Sequence, residues 1–373
     1  MSMAKTKTLA DIPFNSVYRT QQKAILRMHL YMVGETHRML LATARAMRNV
    51  VISGADASGK VDGLGLYHIK HELTAEWGQF MKKWKPFFEE MRRQAASIPF
   101  GTMAVYHQKF LRPAMEGLTE AIGSVDSVFN PQLEALIKAS DQRIYRDGLN
   151  ISGRIWNLDH NSLREIENIV NTGVANGSSA WDIAEALEQY LGAGQDCPRW
   201  TRTRLYKISK KEIAAGRRTG LYSKDACAGQ GVAYKALRLA RNEIQAIHHM
   251  ANDAIMKQMP WVQKEQIHLS AAHPVDDECD VVVEGGENGA GIYAVGTVEL
   301  PLHTQCLCYK TAVLMSEDEF TESLRAWTNG TQAWPEMDAF EQSIGGSILV
   351  NLAISQIAQH LAQWAFEDPY KFN

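Results

Sequence analysis

The sequence predicts a predominantly helical α+β fold, and three observations predict it. Apolar residues recur three or four apart through most of the chain before Trp261. After Trp261 the period shortens to the alternation of brief strands, separated by glycine and proline. Helical spacing then returns and runs toward the C-terminus. This order divides the chain into a helical N-terminal region at 1–150, a helix-rich core domain at 151–315 carrying a small β-sheet, and a C-terminal helical tail at 316–373.

The first helix is expected over Arg19–Val51, with Ile25, Met28, Met32, Met39 and Leu40 near helical spacing. Gly54–Lys60 matches the glycine and lysine positions of a phosphate-binding loop. However, Val61 replaces the hydroxyl residue that would bind magnesium, and Gly63 and Gly65 are expected to break the helix that should follow. An ordinary turn is the better reading. Leu66–Ala96 reads as a second helix carrying Trp77, Phe80, Trp84, Phe87 and Phe88, with Pro86 placed to kink it. Further helices are expected on either side of Asn130-Pro131. The methionine and aromatic stripes are core, although docking on a neighbouring subunit would produce the same pattern.

A new unit is expected near Ile151. Leu163, Ile166, Ile169 and Val170 share one helix face, closed by Gly173 and Gly177. Ser179 and Asp182 form a capping box for the next helix, whose apolar face is read as Trp181, Ala184, Leu187 and Leu191. Val232–Met259 is the clearest amphipathic helix, ended by Pro260. Arg241 and Glu243 lie two apart on it and cannot face each other, so each must reach another element; the strands are the expected partner. His248 and His249 are read as solvated. Strands are expected at Gln266–Ser270, Cys279–Val283, Gly291–Val295 and Leu307–Val313. Ser316 and Glu319 open a helix through Trp327 that Gly330 ends, and a last helix is expected over Asp338–Phe366.

Composition excludes several function classes. The chain has 39 basic against 42 acidic residues, so no global field draws it to nucleic acid or a membrane. One local patch is basic: Arg199, Arg202, Arg204, Lys207, Lys210, Lys211, Arg217 and Arg218, with aromatic residues interleaved, could follow a phosphate backbone. Such a run is equally a solvated face or a contact for an acidic partner. No stretch reads as a membrane span, and Met1–Lys7 is not followed by the apolar core of a signal peptide. Five cysteines, an odd number, do not make a secreted disulfide framework. A soluble protein made in a reducing cytoplasm is the expectation.

Chemistry concentrates between His273 and Cys308, where three of the five cysteines lie. Thiolate and imidazole are the usual ligands of tetrahedral zinc, and two short ligand clusters joined by a loop are a common arrangement. Cys279, His303, Cys306 and Cys308 are the candidate ligands, with His273 and Asp277 as further ones. Buried apolar cysteines with a hydrogen-bonded histidine, or a disulfide, are the alternatives. So small a sheet buries little apolar surface, and a bound ion would supply folding free energy that it lacks.

The same residues resemble the signature of the phage head morphogenesis family, minor capsid proteins similar to the F protein of phage Mu. The resemblance rests on His273-Pro274, Asp277, Cys279-Asp280, a glycine-rich loop, and Pro301-Leu302-His303 closing on Cys306 and Cys308. It covers roughly 151–313 and departs at Leu307, where a basic residue is frequent, and at Val282, where some relatives carry a cysteine. It implies a virion protein made in the bacterial host, acting structurally near the portal vertex during head assembly. The portal protein or major capsid protein would be its partner, phage DNA a further one, and zinc a structural cofactor. No catalysis is required. The alternative is a zinc-dependent hydrolase of nuclease type using the Cys/His/Asp cluster. The glutamate-bearing motifs of zinc deaminases and peptidases do not occur, which leaves Asp276, Asp277 and Glu278 as its only candidate bases.

Overall fold

The computed structural model describes residues 14–106, 126–193, 231–270, 273, 276–304 and 306–345. Helix makes up 69% of it, with one three-stranded antiparallel sheet, which is the predominantly helical α+β fold the periodicity predicts. Two compact units interleave along the chain: one comprises Met1–Arg27, Arg93–Ser140 and Ile244–Asn373, the other Met28–Arg92 and Asp141–Glu243.

The second unit takes its core from α1 (Phe14–Ser53) and α2 (Gly63–Tyr106). Met28, Met32, Leu40, Met47 and Val51 of α1 are buried, as are Ile69, Leu73, Trp77, Phe80, Trp84 and Phe88 of α2. The spacing of three and four puts the aromatic rings in one stack, with Trp77 on Phe80 at 4.9 Å and Trp84 on Phe88 at 5.0 Å. The indole of Trp84 donates to Thr36 Oγ1 at 3.2 Å, satisfying its one polar atom inside the core. The stripe is therefore interior. Helix α2 runs through Pro86 without ending. Losing one backbone hydrogen bond there costs about 3 kcal/mol, less than burial of the flanking Trp84 and Phe88 returns at about 1.5–3 kcal/mol each.

Gly63 and Gly65 begin α2 instead of breaking it, because the Asp62 carboxylate accepts from the Gly65 amide at 2.6 Å and caps the helix. A Cβ on Gly65 would meet the Gly54 carbonyl oxygen at 2.8 Å, so the close return of the loop needs a glycine there. The preceding turn folds on Asp56, whose carboxylate accepts from the Ser58 and Lys60 amides. After α3 (Asp126–Gln142), Asn150 caps α4 (Ile151–Ala175) and Ser179 caps α5 (Ala180–Tyr190) in a full capping box with Asp182. That cap phases α5 so that Ala180, Ile183, Ala184 and Leu187 are buried. Trp181, expected on that face, is 58% exposed, with the Arg48 guanidinium 4.8 Å from its ring. The partners of Glu243 are not strand residues. It accepts from the Tyr145 hydroxyl and from Arg154 Nη1 at 3.1 Å, tying α6 (Gly231–Met256) to the start of α4.

In the first unit the sheet has the order β2–β1–β3: Ile292–Ala294, Val262–His268 and Tyr309–Leu314. Trp261 stands at its head, with Phe340 at 5.2 Å and Phe320 at 6.2 Å, in a core that also takes Tyr18, Phe100, Ile255, Met259 and Met337. Phe320 comes from α8 (Glu317–Thr328), capped by Ser316, and Phe340 from α9 (Pro335–Gly345). Residues 279–283, expected as a strand, are helical: α7 spans Glu278–Val283. The expected continuation of the last helix to Phe366, and the whole basic run at 199–218, lie outside the described residues.

Candidate metal centre

The site is built on α7. Asp277 at its N-cap accepts from the Cys279 amide at 2.8 Å, while Asp280 accepts from the Asp277 amide at 2.8 Å, a reciprocal capping box. This local pairing overrides the β-propensity of Val281, Val282 and Val283 and turns Cys279 fully inward. The second arm arrives by a turn in which the Cys306 amide donates to the His303 carbonyl at 3.3 Å. It delivers Cys306 and Cys308 on one side, both buried, immediately before β3.

The three sulfurs meet. Cys279 Sγ lies 3.6 Å from Cys306 Sγ, and Cys308 Sγ lies 3.6 Å from His273 Nδ1. Donor atoms of His273, Cys279 and Cys308 are all within 4.8 Å of one another, and so are those of Cys279, His303 and Cys306. Sharing Cys279, the two sets form one cluster of three cysteines and two histidines. A zinc ion with its usual bond lengths spans about 3.8 Å between two sulfurs and about 3.5 Å between sulfur and nitrogen across a tetrahedron. The two measured edges, one in each set, match those spans, as an ion of that size requires. None of the three cysteines is disulfide-bonded, which removes that alternative for them.

Each expected ligand has a definite place. Asp277 lies with His273 and Asp280 in a third close set, which contains no sulfur. Its Oδ2 is 3.2 Å from His303 Nε2. Asp280 Oδ2 is 2.8 Å from His273 Nε2. The capping box thus provides a hydrogen-bonded carboxylate for His273, while Asp277 Oδ2 and His303 Nε2 lie close without a hydrogen bond. Hydrogen bonds from Cys279 and Cys308, with His303 nearby, drive the Cys306 thiol far below its ordinary range. Donation to Cys306 correspondingly holds the Cys279 thiol high. His303 is pushed up to about 9, chiefly by its hydrogen bond to Cys306. The cluster stabilises thiolate, the form that binds metal.

The support beneath the cluster was not legible in the sequence. His248 and His249, read as solvated, are buried. The α6 segment they occupy is enclosed on nearly every side, from Ile244 through Asn252. His249 hydrogen-bonds the Cys308 backbone, so α6 holds the second ligand arm directly, and burial keeps this imidazole neutral. His248 bonds the Ala95 backbone, and burial lowers it to about 3. Beside them, Lys310 Nζ is enclosed by Asp253 Oδ1 at 2.7 Å, Glu265 Oε2 at 3.1 Å and the Val298 carbonyl at 2.7 Å. Glu265 also accepts from the Gly296 and Val298 amides at 2.9 and 3.0 Å. This network anchors the turn leading into the second arm. Burial pushes Asp253 up to about 6, against the pull of Lys310. A glutamate and a lysine in alternating strands carry no sign of such enclosure in the sequence.

Fold and cluster together define the class: a predominantly helical α+β protein whose small sheet carries a Cys/His cluster able to hold a metal ion. No family model matches the chain, and no curated protein or solved structure matches it. Among the described residues no helix is long and apolar enough to cross a membrane.

Proposed function

We propose that the protein is a structural component of a tailed-phage head, assembling near the portal vertex, and that its Cys/His cluster holds a structural zinc ion. The observation that carries the metal reading is the pair of close donor sets, each of two buried cysteines and a histidine, that share Cys279, with Cys279 Sγ 3.6 Å from Cys306 Sγ and Cys308 Sγ 3.6 Å from His273 Nδ1. Three thiolates place so much negative charge on the ion that little Lewis acidity remains, and four protein ligands leave no position for an activated water. A structural ion is therefore favoured over a catalytic one. What supports the head-assembly role is the order of His273-Pro274, Cys279-Asp280 and Pro301-Leu302-His303 with Cys306 and Cys308, read as a likeness of pattern.

Two measurements test the proposal. Metal analysis of the purified full-length chain is expected to give one zinc per chain, lost in Cys279→Ser and Cys306→Ser. Co-expression with the portal and major capsid proteins of the same genome is expected to return it in complexes with portal rings or procapsids. Full-length protein without zinc overturns the metal reading, and failure to associate with either partner overturns the head-assembly reading.

A further inference from the structure

We infer that Lys310 and Asp253 become joined by an amide bond made within the folded chain, with Glu265 as the catalytic carboxylate. This modification goes beyond the head-assembly reading and depends neither on that role nor on a metal. It ties β3 to α6 covalently and closes a loop of chain that contains both arms of the Cys/His cluster.

The three side chains meet where the fold excludes water. Lys310 Nζ is fully enclosed and lies 2.7 Å from Asp253 Oδ1, 3.1 Å from Glu265 Oε2 and 2.7 Å from the Val298 carbonyl. The Asp253 carboxyl carbon is one C–O bond beyond Oδ1, so it stands within about 4 Å of the amine nitrogen. Bonds form readily when reacting atoms are held about 3–3.5 Å apart, and such groups react far faster than the same groups free in solution. The enclosure also sets one amine against two carboxyl groups, and burying charge is costly unless every member is compensated. An amide removes the Lys310–Asp253 pair of charges altogether.

The surroundings give the two carboxyl groups different parts. Glu265 is wholly buried, and its oxygens accept from the Gly296 amide at 2.9 Å and the Val298 amide at 3.0 Å. Those bonds fix it in place, which suits a group that carries a proton and is not consumed. Asp253 Oδ1 accepts no backbone hydrogen bond among the described residues, and burial pushes this carboxyl up to about 6, toward the neutral acid that an amine attacks. In the step, Glu265 takes a proton from Lys310 Nζ and the nitrogen attacks Asp253 Cγ. A C–N bond forms and one C–O bond breaks. Of the three ammonium hydrogens, one stays on the amide nitrogen and two leave with the departing oxygen as water, the last delivered by Glu265, which ends as it began. No oxidant or further reactant is consumed. The Asp253 side chain is 20% exposed, which gives the water a way out.

The test is intact mass spectrometry of the purified full-length chain after denaturation. Wild type is expected to be one water lighter than its sequence, and tryptic digestion is expected to leave Lys310 uncut and give one species that joins the Asp253 and Lys310 peptides. Glu265→Gln keeps both partners without the proton carrier and is expected to show the full mass, as is Lys310→Arg. Should either variant fold poorly, the wild-type digest decides alone, because the joined peptide is either present or absent. Wild type at full mass with Lys310 cut by trypsin overturns the proposal. A water loss that persists in Lys310→Arg overturns it too, since the dehydration then lies elsewhere in the chain.

Discussion

His248 makes acid stability of this fold measurable at a single residue. Buried between the Ala95 backbone and Asn252, its imidazole is held at about 3 against an ordinary 6.5 because burial penalises the charged form. The sign follows from which state takes up the proton. Below 6.5 the unfolded chain protonates this side chain and the folded protein does not, so unfolding is favoured as pH falls. The contribution is fully present above 6.5 and is lost progressively between 6.5 and about 3. Each pH unit in that window is worth about 1.4 kcal/mol, so the loss at pH 5 is about 2 kcal/mol. His248→Gln removes the titration and keeps a polar side chain. Urea unfolding of wild type and variant between pH 7.5 and pH 5 should show wild type losing about 2 kcal/mol more than the variant over that range. Asp253 is common to both proteins and cancels in the comparison, and a matching His249→Gln pair measures what its contact with His248 contributes. Parallel pH profiles for the two proteins would refute the reasoning.

Three further outcomes are expected. Glu265→Gln leaves Lys310 enclosed with one carboxylate fewer and should cost about 3–5 kcal/mol in urea unfolding; adding Lys310→Met should recover part of it, because the uncompensated charge goes too. Gly173→Ala puts a Cβ 2.5 Å from Ile183 Cγ1 and should cost about 1–3 kcal/mol, with a double-mutant cycle against Ile183→Ala showing coupling between the two helices. Trp84→Ala should cost about 3–5 kcal/mol, whereas Trp181→Ser should stay within about 0.5 kcal/mol, and equal losses would contradict the burial that separates the two tryptophans.

The elements legible in the sequence are those whose signal is local. Helix caps at Ser179 and Ser316, and the strands around Gln266, Ile292 and Tyr309, follow from short-range hydrogen bonding and period, and the structure places them there. The three cysteines of the cluster are brought together, and His303 and His273 with them. What was not legible depended on tertiary surroundings. His248 and His249 look polar on a helical wheel, but α6 is enclosed around most of its circumference, and position on a wheel says nothing about a second covering layer. Glu243 was expected to reach the strands, and only the fold reveals Tyr145 and Arg154 converging on it. At Val281–Val283 β-branched composition suggested a strand, and two aspartates three apart overruled it.

That last reversal bears on why the cluster can form. In a strand, Cys279 and Val281 would share one face and Asp280 the other. As a helix, the segment turns Cys279, Val282 and Val283 toward the sheet and leaves Val281 74% exposed. Asp277 and Asp280 fall three apart on one side, where each meets a histidine. Asp280, one of the two carboxylates that begin the helix, therefore also orients the imidazole of His273, so local folding and site formation are linked. Apolar burial around these arms is slight: Ile267, Val298 and Leu300 form one small cluster, and the cysteines themselves form the other. Ordering the backbone costs about 1–2 kcal/mol per residue, and two clusters this small offset only a part of that for the loops between His273 and Cys308. A bound ion would make up the remainder, and it follows that chelation should loosen these arms before it loosens the aromatic core of α2.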